Sequence, residues 1–139
     1  MKKVLLSSLM LFMVASIFAQ NNTVVDRSAA DAATQVLVGK FQLSDIQAVK
    51  MLKIQQRKLK NNLEIAPLEA TDIDKYLAKM SANEEQTNFS IRRILNTEQV
   101  KILTKDEYDL RVKRAGVSSR MQKEGASPLE IKKVLITVN

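Results

Sequence analysis

The chain contains no cysteine, no histidine and no tryptophan, and has three glycines and two prolines in 139 residues. Without cysteine there are no disulfides, no thiol nucleophile and no lipid-modified cysteine, so any core must hold the fold unaided. Without histidine there is no Ser-His pair and no imidazole ligand, which removes the usual nucleophilic and zinc or nickel chemistry. No glycine-rich phosphate loop is present. Few breakers imply long helices, and no run of alternating β-branched residues bounded by turns occurs before the last few positions.

The carboxylate groups Asp72/Asp74, Glu84/Glu85 and Asp106/Glu107/Asp109 are close in sequence. Neighbours at one or two positions on a helix do not face each other, so they read as solvated faces and helix-start charges, not as an acid–base pair. No metal, cofactor or enzymatic activity is expected.

The first residues carry an export pattern. Lys2 and Lys3 precede an apolar run from Val4 to Phe18, broken only by Ser7, Ser8 and Ser16, and Ala19-Gln20 reads as a cleavage point. Positive charge, apolar stretch and small residue in that order form a signal peptide, and the run is shorter than the ~20 residues of a membrane-spanning helix. Residues 1–19 are expected to be removed, placing the mature protein in the periplasm. Loss of Lys2 and Lys3 lowers the formal charge from +7 to +5. Outside the cytoplasm that excess suits unfolded or acidic polypeptides, or an anionic membrane surface, better than nucleic acid. The aromatic residues left are Phe41, Tyr76, Phe89 and Tyr108, which favours slim aliphatic helices over an aromatic-lined pocket.

An all-α fold follows: a long helical hairpin flanked by short N- and C-terminal helices. Residues 20–27 read as a flexible mature N-terminus, 28–116 as the helical domain, and 117–139 as a linker and amphipathic C-terminal helix. Ser28 to Val38 suits a short helix ended by Gly39. A long helix opens at Ser44, with Ile46, Val49, Leu52, Leu59 and Leu63 as its apolar face and Gln56 interrupting it. It stops at Pro67, which pushes Ala66 out of the helical region. A second long helix starts near Thr71 with Asp74 at the capping-box position. Its stripe (Ile73, Tyr76, Leu77, Met80, then Ile91, Ile94, Leu95) has a polar gap at 81–88, which implies exposure or a bend there. A third helix opens at Asn96, uses Val100, Leu103 and Leu110, with Tyr108 and Val112 beside them, and ends at Gly116. Ser127-Pro128-Leu129-Glu130 then combines a cap, proline at the first helical position and glutamate at the third. Ile131, Val134, Leu135 and Val138 complete a short amphipathic helix, with strand pairing of Leu135 to Val138 as the alternative.

Two segments match each other: Leu43-Ser44-Asp45-Ile46-Gln47 and Leu95-Asn96-Thr97-Glu98-Gln99. In each, the cap side chain can accept from the amide three residues on, and the glutamine can reach back to the cap's own amide. The preceding leucine can staple onto Ala48 or Val100. The pair resembles the LTxxQ motif of the Spy/CpxP family of periplasmic proteins, with Ser44 and Asn96 in place of threonine. The resemblance covers roughly residues 41–114. It implies a helical hairpin that pairs into a thin, curved, antiparallel homodimer, with ATP-independent chaperoning or envelope-stress sensing as its role, and it assigns Leu43, Ser44, Gln47, Leu95, Asn96 and Gln99 to structure at the hairpin ends.

Lys50, Lys53, Arg57 and Lys60 are spaced 3, 4 and 3 along the first long helix, which puts them on one stripe. Arg92 and Arg93 lie late in the second. In an antiparallel pair Arg92 is expected beside Lys50 and Lys53, giving a cationic strip that captures unfolded or acidic polypeptides. An alternative is a non-enzymatic regulatory or structural adaptor that binds one envelope protein through residues 127–139. A third is contact with a membrane surface through an amphipathic helix.

Overall fold

A computed structural model describes residues 27–138. The expected signal peptide (1–19), its cleavage point and residues 20–26 lie outside the described residues. The fold is all-α, and no strand occurs among the described residues. Helix α1 covers 27–41. It is followed by α2 (Asp45–Ile65), α3 (Leu68–Thr71), α4 (Ile73–Ile94), α5 (Thr97–Lys123) and α6 (Pro128–Leu135). Helices α2 and α4 run antiparallel as the arms of a hairpin: Gln47 at the start of α2 meets Ile94 at the end of α4, and Asn61 meets Asn83 further along. No helix among the described residues is long and apolar enough to cross a membrane.

Three helix ends differ from expectation. Helix α1 continues through Gly39 to residue 41, because Gln42 takes the left-handed conformation (φ 51) that glycine was expected to supply. The Leu43 amide then donates to the Val38 carbonyl over 3.1 Å, the 6→1 bond of a Schellman turn. Helix α5 likewise passes Gly116 and continues to Lys123, so 117–123 are helix and not linker. Its stop is Gly125 (φ 81), with the Ala126 amide bonded to Met121 and the Gly125 amide to Gln122. Neither Gly39 nor Gly116 is crowded, and an uncrowded glycine costs a helix interior about 1 kcal/mol, which packing on both sides outweighs.

At Pro67 the expected stop occurs by another route. Ala66 keeps helical angles (φ −50, ψ −41), and its amide still bonds Asn62. Pro67 has no N–H to extend the ladder, and the chain restarts as α3. The next start is capped by Asp72, whose side chain accepts from the Lys75 amide over 3.1 Å, and not by Thr71 with Asp74. The last helix forms as expected, on a complete Ser127/Glu130 capping box with Pro128 at its first position. Residues 135–138 form no strand.

The core sits under the corner where α1 meets α2 and α4 meets α5. Phe41, Met51, Ile54, Ile91 and Leu103 are buried together, and Leu37, Leu43, Ile94 and Leu95 pack against them half-buried. Away from the corner the hairpin changes character. Within the polar stretch of α4, Asn83 and Thr87 are buried while Ser81, Glu85 and Gln86 stay exposed, and the helix is continuous through it. Asn83 is 5% exposed. It accepts from Asn61 Nδ2 (2.9 Å) and donates to the Lys58 carbonyl (3.1 Å) and Asn62 Oδ1 (2.7 Å). Thr87, also buried, donates to the Asn83 carbonyl over 2.7 Å. Facing asparagines satisfy one another, so the inward side of the polar gap is an interface, without a bend, while its outer side is exposed.

The buried face of α2 therefore differs from the expected one. Met51, Ile54, Gln55 and Ile65 turn inward, whereas Ile46, Val49 and Leu63 are 71%, 58% and 60% exposed.

Candidate functional site: the glutamine corner and the outer face of the second helix

Both boxes close as expected. The Ser44 hydroxyl accepts from the Gln47 amide (3.3 Å) and Gln47 Oε1 accepts from the Ser44 amide (3.0 Å). Asn96 Oδ1 and the Gln99 amide, and Gln99 Oε1 and the Asn96 amide, pair at 2.9 Å each. The Asp45 and Glu98 carboxylates stand in the first turns of α2 and α5, where a helix favours negative charge. Leu43 and Leu95 are half-buried against the core.

The structure adds a relation between the boxes. Gln47 Nε2 donates to Gln99 Oε1 (2.7 Å) and Gln99 Nε2 donates to Gln47 Oε1 (3.2 Å). Each amide group also reaches a helix C-terminus: Gln47 donates to the Ile94 carbonyl (2.7 Å), and Gln99 to the carbonyls of Phe41 (3.0 Å) and Gln42 (3.4 Å). The two turns are thus related by an approximate two-fold, and each glutamine satisfies an amide of its own box and a carbonyl at the other turn. Glutamine suits this because its side chain accepts and donates in one plane. The arrangement is saturated and holds no reactive group.

The basic residues divide into two sets. Lys50, Lys53 and Arg57 are exposed on one line of α2. Arg57 donates to Ser90 Oγ over 2.7 Å, and none of the three has a carboxylate partner among the described residues. Lys60 stands on the same line, 3.9 Å from Glu64. Arg93 lies 5.8 Å above the exposed Phe89 ring on α4, a cation–π distance. Arg92 does not join this strip. It turns to α5, where it pairs with Glu107 at 2.6 Å and approaches Thr104. Residue 92 projects on the side of α4 that faces α5, and the carboxylate there captures it.

At about 100° per residue, the apolar residues Val49, Leu52, Leu59 and Leu63 form a stripe centred about a quarter turn from the basic line, and Ile46 lies on that line. Helix α2 thus has three faces: one buried against α4, one apolar and largely exposed, and one cationic.

No group of acidic residues among those described could hold a metal ion. Among the described residues, two groups titrate away from their ordinary values. Ser127, through its hydroxyl and its amide, bonds Glu130 and holds that carboxyl below the usual glutamate range. The Lys105 ammonium is raised by its hydrogen bond and ion pair with Asp109. Both lie at the surface, Glu130 in the first turn of α6 and Lys105 within α5. Comparison with protein-family models, with curated proteins and with solved structures gives no match.

Proposed function

We propose that the protein is a periplasmic, ATP-independent, non-enzymatic binding protein of the Spy/CpxP type that shields unfolded or acidic polypeptides, with the cationic face of α2 as the contact surface. The observation that supports this most is the line Ile46, Lys50, Lys53 and Arg57, all exposed and without carboxylate partners among the described residues. Arg57 leads across to α4, which carries exposed Phe89 and Arg93. Unpaired cations steer acidic and unfolded chains to the surface, and the aliphatic and aromatic groups among them retain the encounter. Such contacts are weak and multiple, which suits capture and release without nucleotide.

The same reading includes a thin antiparallel homodimer. Val49, Leu52, Gln56, Leu59 and Leu63 follow the 3-4 spacing of a coiled-coil seam. Val49 and Leu63 are exposed in the single chain, and pairing with a second copy along this seam leaves the cationic line free. Light scattering during dilution of a denatured client tests the function. Suppression of aggregation at stoichiometric protein is the expected result; unchanged scattering at both substoichiometric and stoichiometric protein overturns it.

A further inference from the structure

A cleft runs between α4 and α5, and the last described residues lie in it. Arg114, well along α5, donates to both carboxylate oxygens of Glu84 on α4 (3.0 and 3.1 Å). The same guanidinium donates to the Val138 carbonyl from Nε (3.3 Å) and from its terminal nitrogen (3.2 Å). One arginine thus ties α5 to α4 and to the last described residue. Leu135 and Ile136 form one wall of a cavity of about 430 Å³ whose other wall is Leu77, Ala78 and Ser81 of α4. Ile136 also enters a second cavity, about 320 Å³, beside Met80, Leu103 and Leu110. The tail occupies the cleft without filling it.

The hold of the tail is light. Helix α6 has eight residues and buries one, Ile131, whereas an isolated helix needs about 12–15 residues to persist in water. It leaves α5 through Gly125, a left-handed glycine with open space around it. Beyond the packing of α6 on α5, Leu135 and Ile136 are half-buried and Arg114 bonds Val138 just past the helix. The α4 wall carries Asp74 and Glu84, and α6 brings Lys132 to that side.

We propose that α6 is a displaceable strap: it occupies in cis a cleft whose other occupant is an apolar, basic amphipathic segment of a client polypeptide. The strap itself defines what fits: an apolar pair (Leu135 and Ile136), a lysine toward Asp74 and Glu84, and a backbone carbonyl for Arg114. That the segment belongs to an unfolded client rests on the function proposed above, whereas its basic character comes from Asp74 and Glu84 in the cleft wall; the cleft and its strap are independent of that function.

The probe is a fluorescein-labelled peptide with the sequence of residues 127–138, titrated into the full chain. In wild type the strap competes. The variant L135D/I136D releases the strap and leaves the α4 and α5 walls untouched, so the peptide binds it about ten-fold more tightly, as expected when the competent fraction rises from a tenth to nearly all. Adding R114A to that variant removes most of the gain. A second measurement needs no variant: excess peptide speeds amide exchange of residues 129–135 in wild type while α2 stays protected. Equal affinity for wild type and L135D/I136D, no binding to either, or exchange at 129–135 unmoved by peptide overturns the proposal. Peptide binding without suppression of client aggregation retires the client and keeps the strap. Suppression without peptide binding does the reverse.

Discussion

Gln47 and Gln99, 52 positions apart, each accept a hydrogen bond from the other's side-chain amide, at 3.2 and 2.7 Å. Each also closes its own capping box and bonds a carbonyl at the far turn. Two local helix starts thereby become one tertiary joint, and the core residues Phe41, Met51, Ile54, Ile91 and Leu103 lie beneath it.

Removing either glutamine therefore costs more than a cap. Gln99 is 7% exposed, so Gln99→Ala leaves buried acceptors without donors and destabilises by about 2–3 kcal/mol. Gln47→Ala costs about 1–2 kcal/mol. The double variant loses less than the sum, by about 1 kcal/mol or more, because the two share bonds. Urea denaturation of the four proteins measures this. Additive losses mean that the cross-corner bonds carry no energy.

The caps themselves behave locally. Ser44→Ala and Asn96→Ala each lower stability by about 1 kcal/mol, and Ser44→Thr is close to neutral. Loss of several kcal/mol in Ser44→Ala would contradict a purely capping role for that hydroxyl, and thermal unfolding detects it.

Asn83→Ala breaks a network in which every buried side-chain polar atom among the described residues has a partner. The cost is about 1–3 kcal/mol, because Asn61 and Asn62 lose partners at once. Asn83→Leu with Asn61→Leu and Asn62→Leu restores part of the loss by replacing the polar interface with an apolar one. Chemical denaturation compares the two, and failure of the triple variant to recover stability argues that the network also sets hairpin register.

Acid loosens the strap before the hairpin. The Ser127 hydroxyl and amide favour ionised Glu130 and depress its pKa in the folded chain. That contribution is present above the ordinary glutamate pKa, about 4.3, and is lost as pH falls through the depressed value. NMR amide shifts of residues 129–135 are expected to move toward random-coil values as pH falls below the ordinary glutamate range while those of α2 hold. Ser127→Ala shows the same loosening at neutral pH.

The legible parts were those decided within one turn of helix. Ser44, Asn96 and Ser127 with their N3 partners were readable because a capping box needs only residues three apart. Gly39 and Gly116 misled because glycine permits a stop without imposing one; the stops came at Gln42 and Gly125, where the chain adopts positive φ. The inward face of α2 was not legible: two apolar stripes share that helix, and only the asparagines and Ile91 of α4 select Met51, Ile54 and Gln55 over Ile46, Val49 and Leu63. The Gln47–Gln99 bonds and the Arg92–Glu107 pair depend on how the helices register against one another, which no local pattern encodes.

The central claim is that clients touch the cationic face of α2. Photo-crosslinking tests it most directly, with a photoreactive residue placed at Lys53, on that face, or at Ile102, exposed on α5, in otherwise unchanged protein. With a denatured acidic client, the account predicts strong crosslinking from position 53 that falls at high salt, and little from position 102. Equal crosslinking from both, or none from position 53 while aggregation is still suppressed, would contradict it.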